Sequence, residues 1–252
     1  MNREHYSYLD GWRGLAICML LLGHFFPVPG INFGAVGVNL FFVLSGVLMS
    51  RLLFVNHTPI PTFYKRRISR IVPAHVAFLA SLVVYFAVMG LSTSWSETLA
   101  ALFFVNNYVQ PELGNAVMPF GHIWSLSVEE HSYVALSLVA LASRKKWVSA
   151  KALVAALTLL CVGFGVMYGL WYSGRELEFG LWRHTEVAAY GILMSSFVFL
   201  FFADRKIPRL PLVIYPALFM AGIVAHWWSV PLPIRTFVGV GLFALTINLL
   251  FE

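Results

Sequence analysis

The stretch DGWRGLAICMLLLGHFF, residues 10–26, is apolar enough to enter a bilayer, yet it carries Arg13 at its start and His24 near its far end. Comparable apolar runs recur along the whole chain. Of its 252 residues 60% are hydrophobic and only 11% charged, and the mean hydropathy is +0.79. That composition lies outside the soluble globular range and reads as an integral membrane protein. The runs leave no room for a separate soluble domain, so the expectation is an all-α, polytopic transmembrane bundle forming one domain over residues 1–252. No small-residue cleavage site follows the first run, which reads as a retained helix rather than a signal peptide.

Spans are expected at 13–28, 35–53, 70–90, 121–142, 151–172, 184–203, 210–228 and 235–251, about eight in all. With the N-terminus cytoplasmic, 14 of the 17 basic residues fall inside: Arg3, Arg13, Arg51, Lys65, Arg66, Arg67, Arg70, Arg144, Lys145, Lys146, Lys151, Arg205, Lys206 and Arg209. Only Arg175, Arg183 and Arg235 fall outside, and the asymmetry sets the orientation. The same bias accounts for the formal charge of +6, so no nucleic-acid partner is implied. The segment SETLAALFFVNNY, 96–108, is short for a crossing and would put two basic loops on opposite sides, so it is expected at the outer interface or as a re-entrant piece. Cys18 and Cys161 both lie in apolar runs and behave as small hydrophobes.

An ionisable group near mid-membrane costs about 2.5–3.5 kcal/mol on insertion scales, which makes each one a functional candidate. Arg13 and His24, eleven residues apart, return to nearly one helix face about 16 Å along the axis. Asp10 precedes Arg13 by one turn and can pair with it. The simpler roles are an interfacial anchor for Arg13 and an interhelical hydrogen bond for His24. In GHIWSLSVEEHSY, 121–133, Glu129 shares a face with His122, Ser125, Ser132 and Tyr133, whereas Glu130 is flanked by Ile123, Leu126 and Val134. That polar stripe favours Glu129 as carboxylate partner of a catalytic imidazole. Glu130 reads first as a buried carboxylate paired with an arginine.

FYKRRISRIVPAH, 63–75, reads as a basic loop running into the third span. Arg67 and Arg70 at that helix start can reach one anion, and guanidinium groups suit phosphates, although a charge run there also serves topology. His75, His184 and His226 fall near membrane boundaries and read as interfacial, while His131 joins no evident constellation. Ser45, in VLSGV, has no base beside it in sequence, and Gly46 reads as a close helix contact. No metal-ligand spacing, glycine-rich phosphate loop or nucleophile elbow is present.

Taken together, YLDGWRGLAI with Arg13 and His24 ten residues between them, GVNLFFVLSG, FYKRRISRIVPA with its R-x-x-R, and HIWSLSVEE resemble acyltransferase family 3. These are integral membrane enzymes that O-acylate cell-envelope carbohydrates. LWRHTEVAAYGILMS, with Arg183 and Glu186, is similar to a later helix of the family. The resemblance implies acyl transfer, acetyl above all, from cytoplasmic acyl-CoA to a hydroxyl of an exported or lipid-linked sugar at a bacterial inner membrane. Acyl-CoA is then a co-substrate, with no tightly bound cofactor and no metal. It also implies His24 as the catalytic residue with Glu129 beside it, and a substrate- and donor-binding set of Arg13, Asp10, Arg67, Arg70, Ser45, Trp124 and Glu130. The sequence departs from the family in continuing Glu130, His131, Ser132, Tyr133 where glutamine and phenylalanine are more usual. It also stops at Glu252 after about eight spans where members have about ten, which points to a shortened member or a fragment. Two other readings fit the same residues: a proton-coupled transporter or flippase with His24, Glu129 and Glu186 as relay, and an inactive shortened member.

Overall fold

The structure, a computed structural model, describes residues 7–26, 28–109, 117–146, 148–172, 180–203, 205, 210–227 and 235–251. The sites expected for Arg3, Arg175, Lys206 and Arg209, and the Arg235 side chain, lie outside the described residues. Among those described, all regular secondary structure is helical. In chain order the helices are α1 (Ser7–Phe25), α2 (Phe33–Ser50), α3 (Ile60–Val88), α4 (Trp95–Leu102), α5 (Asn106–Val109), α6 (Trp124–Arg144), α7 (Ala150–Tyr172), α8 (Thr185–Ala188), α9 (Tyr190–Phe202), α10 (Ile214–Ala225) and α11 (Val240–Phe251). A π-helical turn, Arg51–Val55, prolongs α2, and another, Arg235–Gly239, leads into α11.

Among the described residues, four helical stretches are long and apolar enough to cross a membrane: Phe33–Val55, Ile60–Val88, Ala150–Trp171 and Thr185–Phe202. The last combines α8 and α9. The runs expected at 210–228 and 235–251 contain α10 and α11, each of 12 residues and about 18 Å long. The basic stretch 63–75 is not a loop. It lies within α3, a 29-residue helix that starts after Pro59 with Pro61 in its first turn. Proline suits a first turn, where its missing N–H has no intrahelical partner, and Lys and Arg are good helix formers. Pro73 is carried inside the same helix. At 96–108, α4 and α5 have eight and four residues, far short of a hydrocarbon core of about 30 Å.

The windows of α2 and of α8–α9 are 50% and 61% buried, against 11% for that of α3, so the former are central and α3 peripheral. Helices meet closely where side chains are missing. A Cβ on Gly23 of α1 would run into the backbone of Gly34, and one on Gly37 of α2 would come within 2.7 Å of the Ala16 carbonyl oxygen. At the other face of α2, a Cβ on Gly46 would meet the Ile192 carbonyl oxygen of α9. Small residues at such crossings let backbones approach, the main source of helix association in lipid. Hydroxyls then reach across: Ser195 Oγ donates to the Val43 carbonyl at 2.8 Å and Ser196 Oγ to that of Gly46 at 3.2 Å. From α11, Asn248 Nδ2 donates to Ser195 Oγ at 3.2 Å.

The short helices cover one pole of the bundle. Ser94 caps α4, and the buried Glu97 accepts the backbone N–H groups of Val117 and Met118 at 3.0 and 3.1 Å. This holds the chain that leads into α6. His75 is buried beneath the same cover, bonded to the Ala101 carbonyl at 3.0 Å and stacked on Phe104. His184 and His226 are buried as well, so all three leave the interfacial positions expected of them. The prediction from this packing is that Gly46→Leu forces α2 and α9 apart and destabilises the fold by about 1–3 kcal/mol or more. Thermal unfolding of the purified protein in detergent would register it as a lowered midpoint, whereas Gly11→Leu, with nothing within 4 Å of its Cβ position, should change little.

Candidate functional site

The last turn of α1, the first turns of α2 and α6, the segment before α9 and the end of α10 surround a cavity of about 670 Å³. That size is ordinary for a small-molecule site, as is a mostly apolar lining with a few convergent polar groups. The polar groups are His24, Asn32, Asn39, His122, Ser125, Arg183, His226 and Thr236. Chain direction places the cavity at the pole opposite Arg51, Lys65, Arg144, Lys145 and Lys146, which lie at the far ends of α2 and α6 or the start of α3.

His24 sits on the wall with its Nδ1 2.9 Å from the Leu20 carbonyl oxygen. A carbonyl only accepts, so Nδ1 carries the proton and, in the neutral ring, Nε2 holds the lone pair. The backbone thereby fixes the tautomer of a ring that can take up a proton at Nε2. Trp124 lines the same cavity, edge-on to Phe42 at 6.0 Å, with the Arg183 guanidinium 5.8 Å from its ring centre.

The remaining expected residues lie elsewhere. Ser45 Oγ donates to Glu129 Oε1 at 2.8 Å, which gives Ser45 the neighbouring base absent from its sequence surroundings. Three residues on from Phe42 along α2 and four on from Ser125 along α6, this pair lies about one turn beyond the cavity wall. Glu129 thus reaches Ser45, while the His24 ring is oriented by Leu20. Glu130 pairs with Arg67 at 2.9 Å, and the Arg67 guanidinium stands 3.5 Å above the Tyr133 ring. Arg70, one turn further along α3, is exposed. Arg13 meets Asp10 at 3.5 Å. Both of those side chains are well exposed, so the pair adds little stability.

A second polar group braces the wall from behind. Glu186 accepts the hydroxyls of Tyr108 at 2.9 Å and Tyr168 at 2.7 Å, and His184 Nδ1 lies 3.4 Å from it. Burial raises the Tyr108 phenol above its usual value, which keeps it a donor. His131 Nδ1 is 2.6 Å from Thr185 Oγ1, to which Asn107 Nδ2 also donates at 3.0 Å. His131 therefore belongs to a constellation the sequence did not show. Asn39 and His226 were missed as a pair. The available signal for Asn39 was one polar side chain among Ala35, Val38 and Phe42, cavity-lining residues at helical spacing.

The profile of the acyltransferase domain of acyltransferase family 3 matches residues 6–251. "O-acetyltransferase OatA" of Staphylococcus aureus is 32% identical over 146 residues, covering 52% of this chain and 24% of that protein. "Putative peptidoglycan O-acetyltransferase YrhL" of Bacillus subtilis is 25% identical over 228 residues, covering 82% of this chain and 36% of that protein. The chain thus spans about a quarter to a third of the length of these relatives. No solved structure matches it significantly.

Removing one member of the partly buried Arg67–Glu130 pair leaves the other charge uncompensated, at a cost of about 3 kcal/mol. Arg67→Ala should therefore lower the unfolding midpoint markedly, and Arg70→Ala should leave it within about 0.5 kcal/mol of the parent, as for most exposed positions. Equal effects of the two substitutions in detergent-solubilised protein would contradict the pairing.

Proposed function

The chain belongs to acyltransferase family 3, and from that premise we propose that it transfers an acyl group, acetyl above all, from cytoplasmic acyl-CoA to a hydroxyl of an exported or lipid-linked cell-envelope carbohydrate. The observation that carries the reading is His24, its tautomer fixed by Leu20, on the wall of a ligand-sized cavity at the pole away from the basic residues. The relatives' names, O-acetyltransferase and peptidoglycan O-acetyltransferase, support an acetyl group and a glycan acceptor.

In the proposed reaction His24 Nε2 takes the proton of the acceptor hydroxyl as its oxygen attacks the thioester carbonyl. The carbon–sulfur bond then breaks, and the imidazolium returns its proton to the departing thiolate. Polar groups of the wall stabilise the oxyanion. Glu129, held on Ser45 about three turns along α2 from the Gly34 position that His24 borders, adds negative charge to the same interior without touching the ring. Trp124 shapes the cavity beside it. At the opposite pole, the exposed Arg70 meets the CoA phosphates and Glu130 holds Arg67 in place for the same task. Arg13, steadied by Asp10, adds positive charge at the start of α1.

The membrane arrangement proposed with this reaction has about eight spans: α1, α2, α3, α6, α7, α8–α9, α10 and α11. The N-terminus and the basic pole face the cytoplasm of a bacterial inner membrane. Removal of a general base costs about 10²–10⁴ in rate. His24→Ala in membranes supplied with radiolabelled acetyl-CoA should accordingly transfer at least about 100-fold less label to envelope glycan. Arg70→Ala should raise the KM for acetyl-CoA. Normal labelling by the His24 variant would end the proposal.

A further inference from the structure

Among the residues that line the cavity, Asn39 and His226 are joined although 187 positions apart, with Asn39 Nδ2 2.9 Å from His226 Nε2. The other ring nitrogen, Nδ1, lies 2.7 Å from the Gly222 carbonyl oxygen and must carry the proton, because that oxygen can only accept. In the neutral ring Nε2 is then an acceptor, and the Asn39 atom that faces it must be the amide N–H. The amide orientation therefore follows from a chain of obligatory donors rather than from the placement of one atom. The ring itself cannot turn. It is 2% exposed, stacks on Phe243 with centroids 5.4 Å apart, and has its Nδ1 2.9 Å from where a Cβ on Gly239 would stand.

This anchoring uses one N–H of the carboxamide and leaves its Oδ1 and second N–H to the cavity that Asn39 lines. An acceptor and a donor side by side are what a sugar hydroxyl needs, since it can donate to the oxygen and accept from the N–H. The neighbouring α2 residues of the wall, Ala35, Val38 and Phe42, make no such bonds through their side chains. Building on the acyl-transfer reading above, we propose that Asn39 binds a hydroxyl of a carbohydrate acceptor in the His24 cavity, with His226 as the positioning residue that holds it. A site made to hydrogen-bond a hydroxyl discriminates through the polar groups left unpaired when that hydroxyl is missing.

The test uses the purified full chain in lipid nanodiscs with acetyl-CoA and a soluble peptidoglycan-sugar oligomer, measuring the KM for each separately. Asn39→Leu should raise the KM for the oligomer about tenfold, the effect of losing a good hydrogen bond, with the KM for acetyl-CoA as in the parent. His226→Leu should act in the same direction. His226→Gln keeps an acceptor toward Asn39 and a donor toward Gly222, and should stay within about threefold of the parent. An unchanged oligomer KM in Asn39→Leu overturns the proposal, as does a parallel rise of both KM values, which would mark a merely structural role. A parent protein without turnover, or a His24→Ala variant as active as the parent, would instead remove the acyl-transfer reading beneath it.

Discussion

The arrangement of this bundle depends on backbone meeting backbone at α2. Lipid tails are as apolar as leucine, so burying apolar side chains between helices offers little net drive in a membrane, and close packing has to supply it. Gly23 and Gly37 bring α1 against one side of α2, and Gly46 brings α9 against the other. With so little material between the helices, their relative height and rotation are fixed. Asn39 and Ser45 of α2, and Asn32 that caps it, are therefore fixed relative to His24 on α1. The cavity opens beside this close pairing at one pole, with Gly23 and Gly34 in its wall.

Polar groups inside the bundle are arranged in tiers. The cavity holds imidazoles, carboxamides and one guanidinium; about a turn beyond it lies Ser45 with Glu129, and beside that Arg67 with Glu130 and Tyr133. Each carboxylate has a defined partner, as burial in a low-dielectric medium demands. A paired buried charge contributes little to stability on balance but is costly to orphan, so the pairing acts mainly on geometry. Here that geometry keeps the two acidic side chains of α6 away from the imidazole of α1.

The long apolar runs were legible because helix length and hydropathy are local properties. The run at 151–172 became Ala150–Tyr172, and that at 35–53 became Phe33–Ser50 with its π-helical extension. The stretch 63–75 looked like a loop because its charges broke the hydropathy pattern, although Lys and Arg favour helix and α3 runs straight through it. Periodicity separates the faces of Glu129 and Glu130, which meet Ser45 and Arg67 respectively. It could not say which helix each face would meet, so Glu129 was assigned to an imidazole and found Ser45. His75, His184 and His226 read as interfacial because they flank apolar runs, but tertiary packing buries them, His75 against Ala101 and Phe104, His184 against Tyr108 and Tyr168, and His226 against Phe243. A contact such as Asn39 with His226 leaves no local trace at all.

Glu97 gives the cavity a property that the basic pole does not share. Its carboxylate is gripped by two backbone N–H groups deep inside the protein, and these tie down the chain just before His122 and Ser125. Dissolved ions weaken interactions between exposed charges over roughly 10 Å at 0.1 M, but buried contacts of this kind are screened far less. Ionic strength thus becomes a selective instrument. Raising it weakens the attraction of any anion to the arginines and lysines at one end, while the shape of the chamber at the other end stays as it was.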